Sequence, residues 1–312
     1  MKNFKFLLLL LLAASVSLDA CKKKEENEPV TPITPTPTPT PTPADARLIF
    51  KFKFDSTQVR LNGFGQPSVI PSGNAALSPV FNKMGAHYIE LAQNALTQLG
   101  AGRVLYHAEE TSVGGATAID LSKSVHKGQN EEFFSIKLKD ITPGTYEWLR
   151  VSLAYQNYDI RYKNGAIFGT GTIASFIGYN TYITNYNIKT QNIVVNSNKL
   201  QGYWGFETTV SGFNYTTSGQ APPGATTVPN PISSTSPIPA GSCVVTAAFI
   251  GSTGSAKPLI ITGSETSDIV ITVSLSTNKS FEWQDVSADG YYEPAAGDMV
   301  VDMGIRGLLP IW

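Results

Sequence analysis

Cysteine is almost missing from this chain, with only Cys21 and Cys243 among 312 residues. A disulfide framework is thereby excluded, and stability must come from a packed core. Histidine is nearly as scarce, at His87, His107 and His126. Charge of either sign is in short supply: 23 Lys and Arg stand against 24 Asp and Glu, for a net charge of −1. With no basic excess to track a phosphate backbone, nucleic acid is excluded as a partner. The signatures of familiar catalysts are absent too, since neither G-x-S-x-G nor H-E-x-x-H occurs. GTGTIA (169–174) and GSTGSAK (251–257) lack the spacing and the following helix of a phosphate loop. Glu109/Glu110 and Glu131/Glu132 are adjacent pairs, which a strand would send to opposite faces. The sequence therefore points away from an enzyme. Helical periodicity is scarce, with one short turn expected at NALTQLG (94–100).

What is present begins with an address. Lys2 and Lys5 precede an apolar run, Phe6 to Leu18, too short for a transmembrane span and of the length of a signal-peptide core. It ends in LDAC (18–21), which resembles the lipobox of bacterial lipoproteins, with Asp19 as the departure. The resemblance implies a signal peptide over 1–20 and acylation of Cys21. It also implies three acyl chains, more than the two signals that stable membrane anchoring requires. KKKEENE (22–28) resembles the export signals that send lipoproteins of Bacteroidota to the outer face of the outer membrane. Removal of 1–20 takes away two lysines and one aspartate and leaves a net charge of −2. TPITPTPTPTPTP (31–43) is a proline repeat that forbids helix and favours an extended polyproline rod. The linker 21–46 is thus a disordered stalk, able to hold a domain roughly 40–60 Å from its anchor.

From residue 47 to 312 the pattern is β. LIFKFKF (48–54) alternates Leu48, Phe50, Phe52 and Phe54 with Ile49, Lys51 and Lys53, one face apolar and one wetter. HYIELA (87–92), RVLYHA (103–108), FFSIKL (133–138) and TYEWLRVSLAY (145–155) follow, then NIVVN (192–196) and YWGFETTV (203–210). CVVTAAFI (243–250), PLIITG (258–263) and DIVITVSL (268–275) complete the series. β-Branched and aromatic residues fill these runs and turn formers separate them. The fold class expected is all-β, an antiparallel β-sandwich, Ig-like or a related Greek key. The stretch 216–241, with six prolines, is either a long surface loop or a subdomain boundary. One sandwich is favoured, because the few strands beyond it cannot bury enough surface alone. Cys243 is expected as a small buried side chain.

LIFKFKF, HYIEL, ITPGTYEWLRVSLAY and GYWGFE, in that order, resemble the methanobactin-associated copper protein family. The resemblance rests on strand patterning and on the turn Pro143, Gly144 and Tyr146. It implies an exported β-sandwich; no copper ligand of that family can be matched here residue by residue. His87 and His107 lie on expected strands whose pairing would bring them together, and a metal site would need both imidazoles neutral and converging.

The densest chemistry is near the C-terminus. Glu282, Asp285, Asp289, Glu293, Asp298 and Asp302 put six acids into 21 residues without an intervening Lys or Arg. Such charges repel unless they face water or meet a cation. In DVSADGYYE (285–293), Asp285, Ser287 and Asp289 hold positions one, three and five of a calcium loop, and Gly290 the sixth. Tyr291 would give its carbonyl, Glu293 its side chain, and Asp298 the closing carboxylate, with Asp302 as the alternative. Ala296 stands where an EF-hand has its bidentate glutamate, and MVVDMG (299–304) reads as a strand, so this is no EF-hand. The expected cofactor is Ca²⁺ in a structural role, since extracellular sites bind at about 10⁻⁴ to 10⁻³ M.

FIGYNTYITNYNIK (176–189) offers Tyr182 and Tyr186 on one strand face and Tyr179 on the other, side chains that stack on sugars or peptides. The sequence reads as a non-catalytic surface lipoprotein, a binding or structural module with a calcium loop. Its partners are a membrane and a glycan or protein ligand. Copper handling and surface glycan binding are the alternatives.

Overall fold

The computed structural model describes residues 45–62, 65–221, 237–239 and 241–312. The signal segment, Cys21 and the proline stalk lie outside the described residues. The first strands are β1 (Arg47–Asp55), β2 (Asn74–Leu77), β3 (Val80–Ala92), β4 (Arg103–His107), β5 (Glu110–Thr111), β6 (Ala118–Asp120), β7 (Glu132–Lys137) and β8 (Gly144–Tyr146). The middle of the chain gives β9 (Trp148–Asn164), β10 (Ile167–Phe176), β11 (Thr181–Asn187), β12 (Asn192–Lys199), β13 (Tyr203–Val210) and β14 (Phe213–Gln220). Last come β15 (Cys243–Ala248), β16 (Leu259–Ile261), β17 (Ile269–Ser276), β18 (Phe281–Gln284), β19 (Met299–Asp302) and β20 (Leu308–Ile311). Among the described residues there is no α-helix, only three short 3₁₀ turns. NALTQLG forms hydrogen-bonded turns, with the amide of Thr97 bonded to the carbonyl of Asn94.

Two sheets make an all-β sandwich. One runs β20-β17-β1-β7, and the other β14-β13-β10-β9-β3-β4 with β15 also paired to β9. The alternation of β1 decides how they pack: Leu48, Phe50 and Phe52 are fully buried while Ile49, Lys51 and Lys53 are half-buried on the other face. Ile271, Val273 and Leu275 of β17 join them. From the facing sheet come Ile89, Leu91, Leu149, Val151, Leu153 and Cys243. A fully buried Leu, Ile or Phe contributes roughly 1.5–3 kcal/mol relative to exposure, so this contact dominates the stability. Burial pushes the Cys243 thiol up to about 12, which leaves it a packing group and not a nucleophile.

Hairpin pairs such as β3-β4, β9-β10 and β13-β14 are joined side by side with strands remote in sequence, as in β3-β9 and β10-β13. β9 lies beside β3, β10 and β15, and most ladders are antiparallel. β1 pairs in parallel with β17, Leu48 opposite Ile269 through Asp55 opposite Ser276. The ITPGTYEW turn closes when the Tyr146 hydroxyl donates to the Thr142 carbonyl at 2.8 Å. The expected break at 216–241 starts later than its composition suggests, because Thr216–Gln220 belong to β14. Beyond the break the chain re-enters the same sheet, with Cys243 opposite Leu153 on β9.

A candidate metal centre on strand three

Three smaller features position the site. β3 runs antiparallel to both β9 and β4, and its ladder with β9 is irregular around His87. Ala86 pairs with Leu153 and Tyr88 with Ser152, so His87 is the extra residue of a bulge. A bulge re-aims one side chain out of the regular alternation. On the facing strand Ala154 is skipped, and its carbonyl accepts the amides of Ile177 and Gly178, each at 2.9 Å. Gly178 is required there: a Cβ would lie 2.8 Å from the Cα of Ala154. This close approach seats Tyr179, whose ring lies parallel to that of His87 with centroids 6.5 Å apart.

His107 ends β4 directly opposite Tyr88, and the rings stack with centroids 4.3 Å apart and planes 14° off parallel. The Tyr88 hydroxyl donates to the Pro237 carbonyl at 2.8 Å, fixing the ring against which His107 rests. The chain then leaves the large sheet, and Glu110 opens β5, which pairs with β6 of a neighbouring sheet. The outcome is convergence. Nε2 of His87 lies 2.8 Å, and Nε2 of His107 3.1 Å, from the same Oε1 of Glu110. One ligand atom from each residue falls within a 4.8 Å cluster.

The electrostatics suit a ligand set. His87 is fully buried, and that desolvation holds its pKa below the ordinary imidazole value, opposed by the Glu110 carboxylate. The ring is therefore neutral at pH 7. Hydrogen bonding to His87, with a smaller share from His107, draws Glu110 down to about 2, so it is ionised. Burial raises the Tyr88 hydroxyl to about 12 and keeps it a donor. His107 and Glu110 are 45% and 24% exposed, which leaves a path from solvent to the ligand atoms. Two imidazole nitrogens and a carboxylate oxygen, with an open side, form a donor set for zinc or copper. Ligands about 2.0–2.1 Å from such an ion stand roughly 3.3 Å apart, within the spread found here.

The acidic loop resolves differently from its composition. Asp285 accepts the Gly290 amide at 2.8 Å, and Asp289 the Tyr291 amide at 2.9 Å. Asp298 accepts the amides of Val286 and Glu293 at 2.9 and 2.7 Å. Asp289 and Glu293 converge on the ammonium of Lys163, at 2.5 and 3.1 Å, and Ser287 donates to Glu293 at 3.2 Å. Lys163 holds the Asp289 carboxyl below its usual range. Glu282 meets Arg60, and Asp302 meets Arg306. The countercharge that the acid run lacks locally thus arrives from β9 and from Arg60 and Arg306. Tyr291 is half-exposed, its ring 5.1 Å from that of Phe168.

The tyrosines do not form one surface. Tyr186 is buried in a cluster with Phe176, Ile183 and Tyr203, while Tyr182 is partly exposed and Tyr179 lies by His87. The β11–β12 register shifts between Ile183 and Asn185, so the simple alternation that put Tyr182 and Tyr186 on one face fails. Glu110, Tyr88 and Lys163 escaped sequence reasoning. His-x-x-Glu at 107–110 was the available signal for the first of these.

No family model, curated protein or solved structure matches the chain.

Proposed function

We propose that this chain is an exported, lipid-anchored β-sandwich that captures a copper or zinc ion at His87, His107 and Glu110, as a binding module and not a catalyst. The observation that carries the reading is the meeting of both Nε2 atoms on one carboxylate oxygen. Lone strand histidines satisfy local partners separately; here a bulge, a stacked tyrosine and a change of sheet aim three side chains at one point. Nε2 of His87 donates to the ionised Glu110 carboxylate, so a neutral His87 ligates through Nε2 once its proton has shifted to the unpartnered Nδ1. Nitrogen-rich donor sets bind Cu²⁺ more tightly than Zn²⁺, so copper is the stronger ligand in a competition. The resemblance to the copper protein family supports the sandwich, the lipobox resemblance supports the lipid anchor, and KKKEENE supports the outward face of the outer membrane. Titration of copper and zinc against a chromophoric chelator tests the site. Wild type should bind one ion per chain, and His87→Ala, His107→Ala and Glu110→Gln should each weaken binding. Undiminished affinity in both histidine variants would overturn the reading.

A second reading concerns the loop from Asp285 to Asp298. Oδ1 of Asp285 is buried without a hydrogen-bond partner, while Ser287, Asp289 and Glu293 gather round one cationic position. Calcium in place of the Lys163 ammonium would serve as a structural staple there. In that case added Ca²⁺ raises the melting temperature and Asp289→Ala removes the effect. Indifference of the melting curve to both EDTA and Ca²⁺ would leave Lys163 as the loop's only cation.

A further inference from the structure

Among the described residues the seven-stranded sheet ends on β14, which has β13 on one side and no strand on the other. The β13–β14 turn, Ser211-Gly212, has φ of 52° and 83°, as a two-residue type I′ hairpin requires. Val210 faces Phe213 across this turn, and the ladder runs to Tyr203 opposite Gln220 without a shift. The pair that closes such a hairpin is hydrogen-bonded, so Phe213, Tyr215, Thr217 and Gly219 bond to β13. Asn214, Thr216, Ser218 and Gln220 therefore turn their amides and carbonyls outward.

Edges of this kind are normally blunted by charge, proline or a bulge. β4 carries Arg103 and His107, β7 Glu132 and Lys137, β12 Lys199, and β20 Pro310. FNYTTSGQ has none of these, and seven of its eight residues are exposed. Two further features lie on the same face of the strand. At its start Phe213 and Tyr215 are 68% and 56% exposed, a display of aromatic surface that the monomer does not use. At its end Thr217 and Ala221, with Trp204, Phe206 and Met299, line an apolar pocket of about 370 Å³.

We propose that β14 pairs with β14 of a second copy of this chain, antiparallel about a two-fold axis at Thr217. In that register the outward-facing residues meet one another, Thr216 opposite Ser218 and Asn214 opposite Gln220. Tyr215 then falls across from Gly219, the position over which Trp204 leans, and Phe213 across from Ala221 at the pocket rim. One strand thus carries the aromatic side chains at one end and their seat at the other, as a closed two-fold interface demands. The absence of charge means that nothing repels when the strand meets itself. Edge pairing alone covers less surface than an obligate dimer, so the association is reversible.

Light scattering and oxidative cross-linking of the full chain, in excess micelles so that no anchor holds copies together, test this. The mass should rise toward twice the chain's own with concentration. Thr217→Cys should cross-link with diamide, because Thr217 faces itself in a non-hydrogen-bonded pair, where Cα atoms sit close enough for a disulfide. Exposed Thr209→Cys, on the neighbouring strand, should remain at the wild-type background. Thr216→Pro removes only an outward amide and is tolerated at an edge, so it should abolish the dimer while leaving circular dichroism and melting unchanged. A monomer at every concentration, or equal cross-linking at Thr217 and Thr209, would overturn the proposal.

Discussion

Acid should weaken this fold chiefly through one imidazole. His126 stacks on Tyr155 with ring centroids 4.3 Å apart, and the segment is held by paired backbone bonds between Met84 and Lys127, each 2.9 Å. Gly85 admits the ring, since a Cβ there would lie 2.6 Å from Cδ2 of His126. Nε2 is sealed from solvent and has no hydrogen-bond partner. Protonation would put an N–H and a charge where neither can be solvated, with the Lys83 charge adding repulsion. Burial first, and Lys83 second, bring the pKa down to about 4. The unfolded chain takes up its proton near pH 6.5, so below that pH it binds more protons than the folded one. The stability is therefore present above pH 6.5 and is lost as pH falls toward 4. At about 1.4 kcal/mol per pKa unit the full loss is roughly 3 kcal/mol, of which about 2 kcal/mol has gone by pH 5. Urea unfolding at pH 8 and pH 5, for wild type and His126→Phe, measures it. Phenylalanine keeps the stack on Tyr155; its extra bulk costs the same at either pH. His87 titrates in the same direction in both proteins and cancels in the comparison. An equal loss in wild type and variant would refute the burial argument.

Two further outcomes follow from buried groups. Glu282 is buried with Arg60, accepts Asn74 at 2.6 Å and has Arg306 at 3.8 Å, so Glu282→Gln strands a guanidinium. Breaking such a pair costs about 3–5 kcal/mol, and a loss below about 1 kcal/mol in urea unfolding would contradict it. Cys243 should resist iodoacetamide at pH 8 in the native state and react once denatured; fast native labelling would show the thiol to be accessible.

How much of this was legible in the sequence depended on the kind of contact involved. Alternation marked β1, because one of its faces is dry, and β-branched and aromatic runs marked β13 and β17 nearly residue for residue. β10 was missed at GTGTIA, which in sequence is only a glycine pattern to weigh against a phosphate loop. In the fold Gly169 and Gly171 lie under Tyr162 and Phe206, so their lack of a side chain is a packing requirement of a strand. β14 was missed because neither of its faces is buried, and period two carries no signal without a buried side. Neighbouring pairing of His87 and His107 was foreseeable from local strands, but Glu110 was not. As one of two adjacent acids it looked like solvent-facing charge, and only the passage of the chain between sheets turns it toward the histidines. Lys163 was hidden by distance: nothing near Asp289 in sequence announces a cation from a strand more than a hundred residues earlier.

The parallel seam between β1 and β17 also orders the assembly of the molecule in time. The greasiest segment after the stalk, LIFKFKF, cannot find its permanent neighbour until residues beyond 268 have emerged, because β17 must lie alongside it. Contacts so remote in sequence slow the search for the native state. The growing chain thus carries a phenylalanine-rich ribbon with β7 as its one sheet partner until β17 emerges. A chain cut short before Ile269 leaves that ribbon with only β7 beside it, a sticky fragment for proteases to clear.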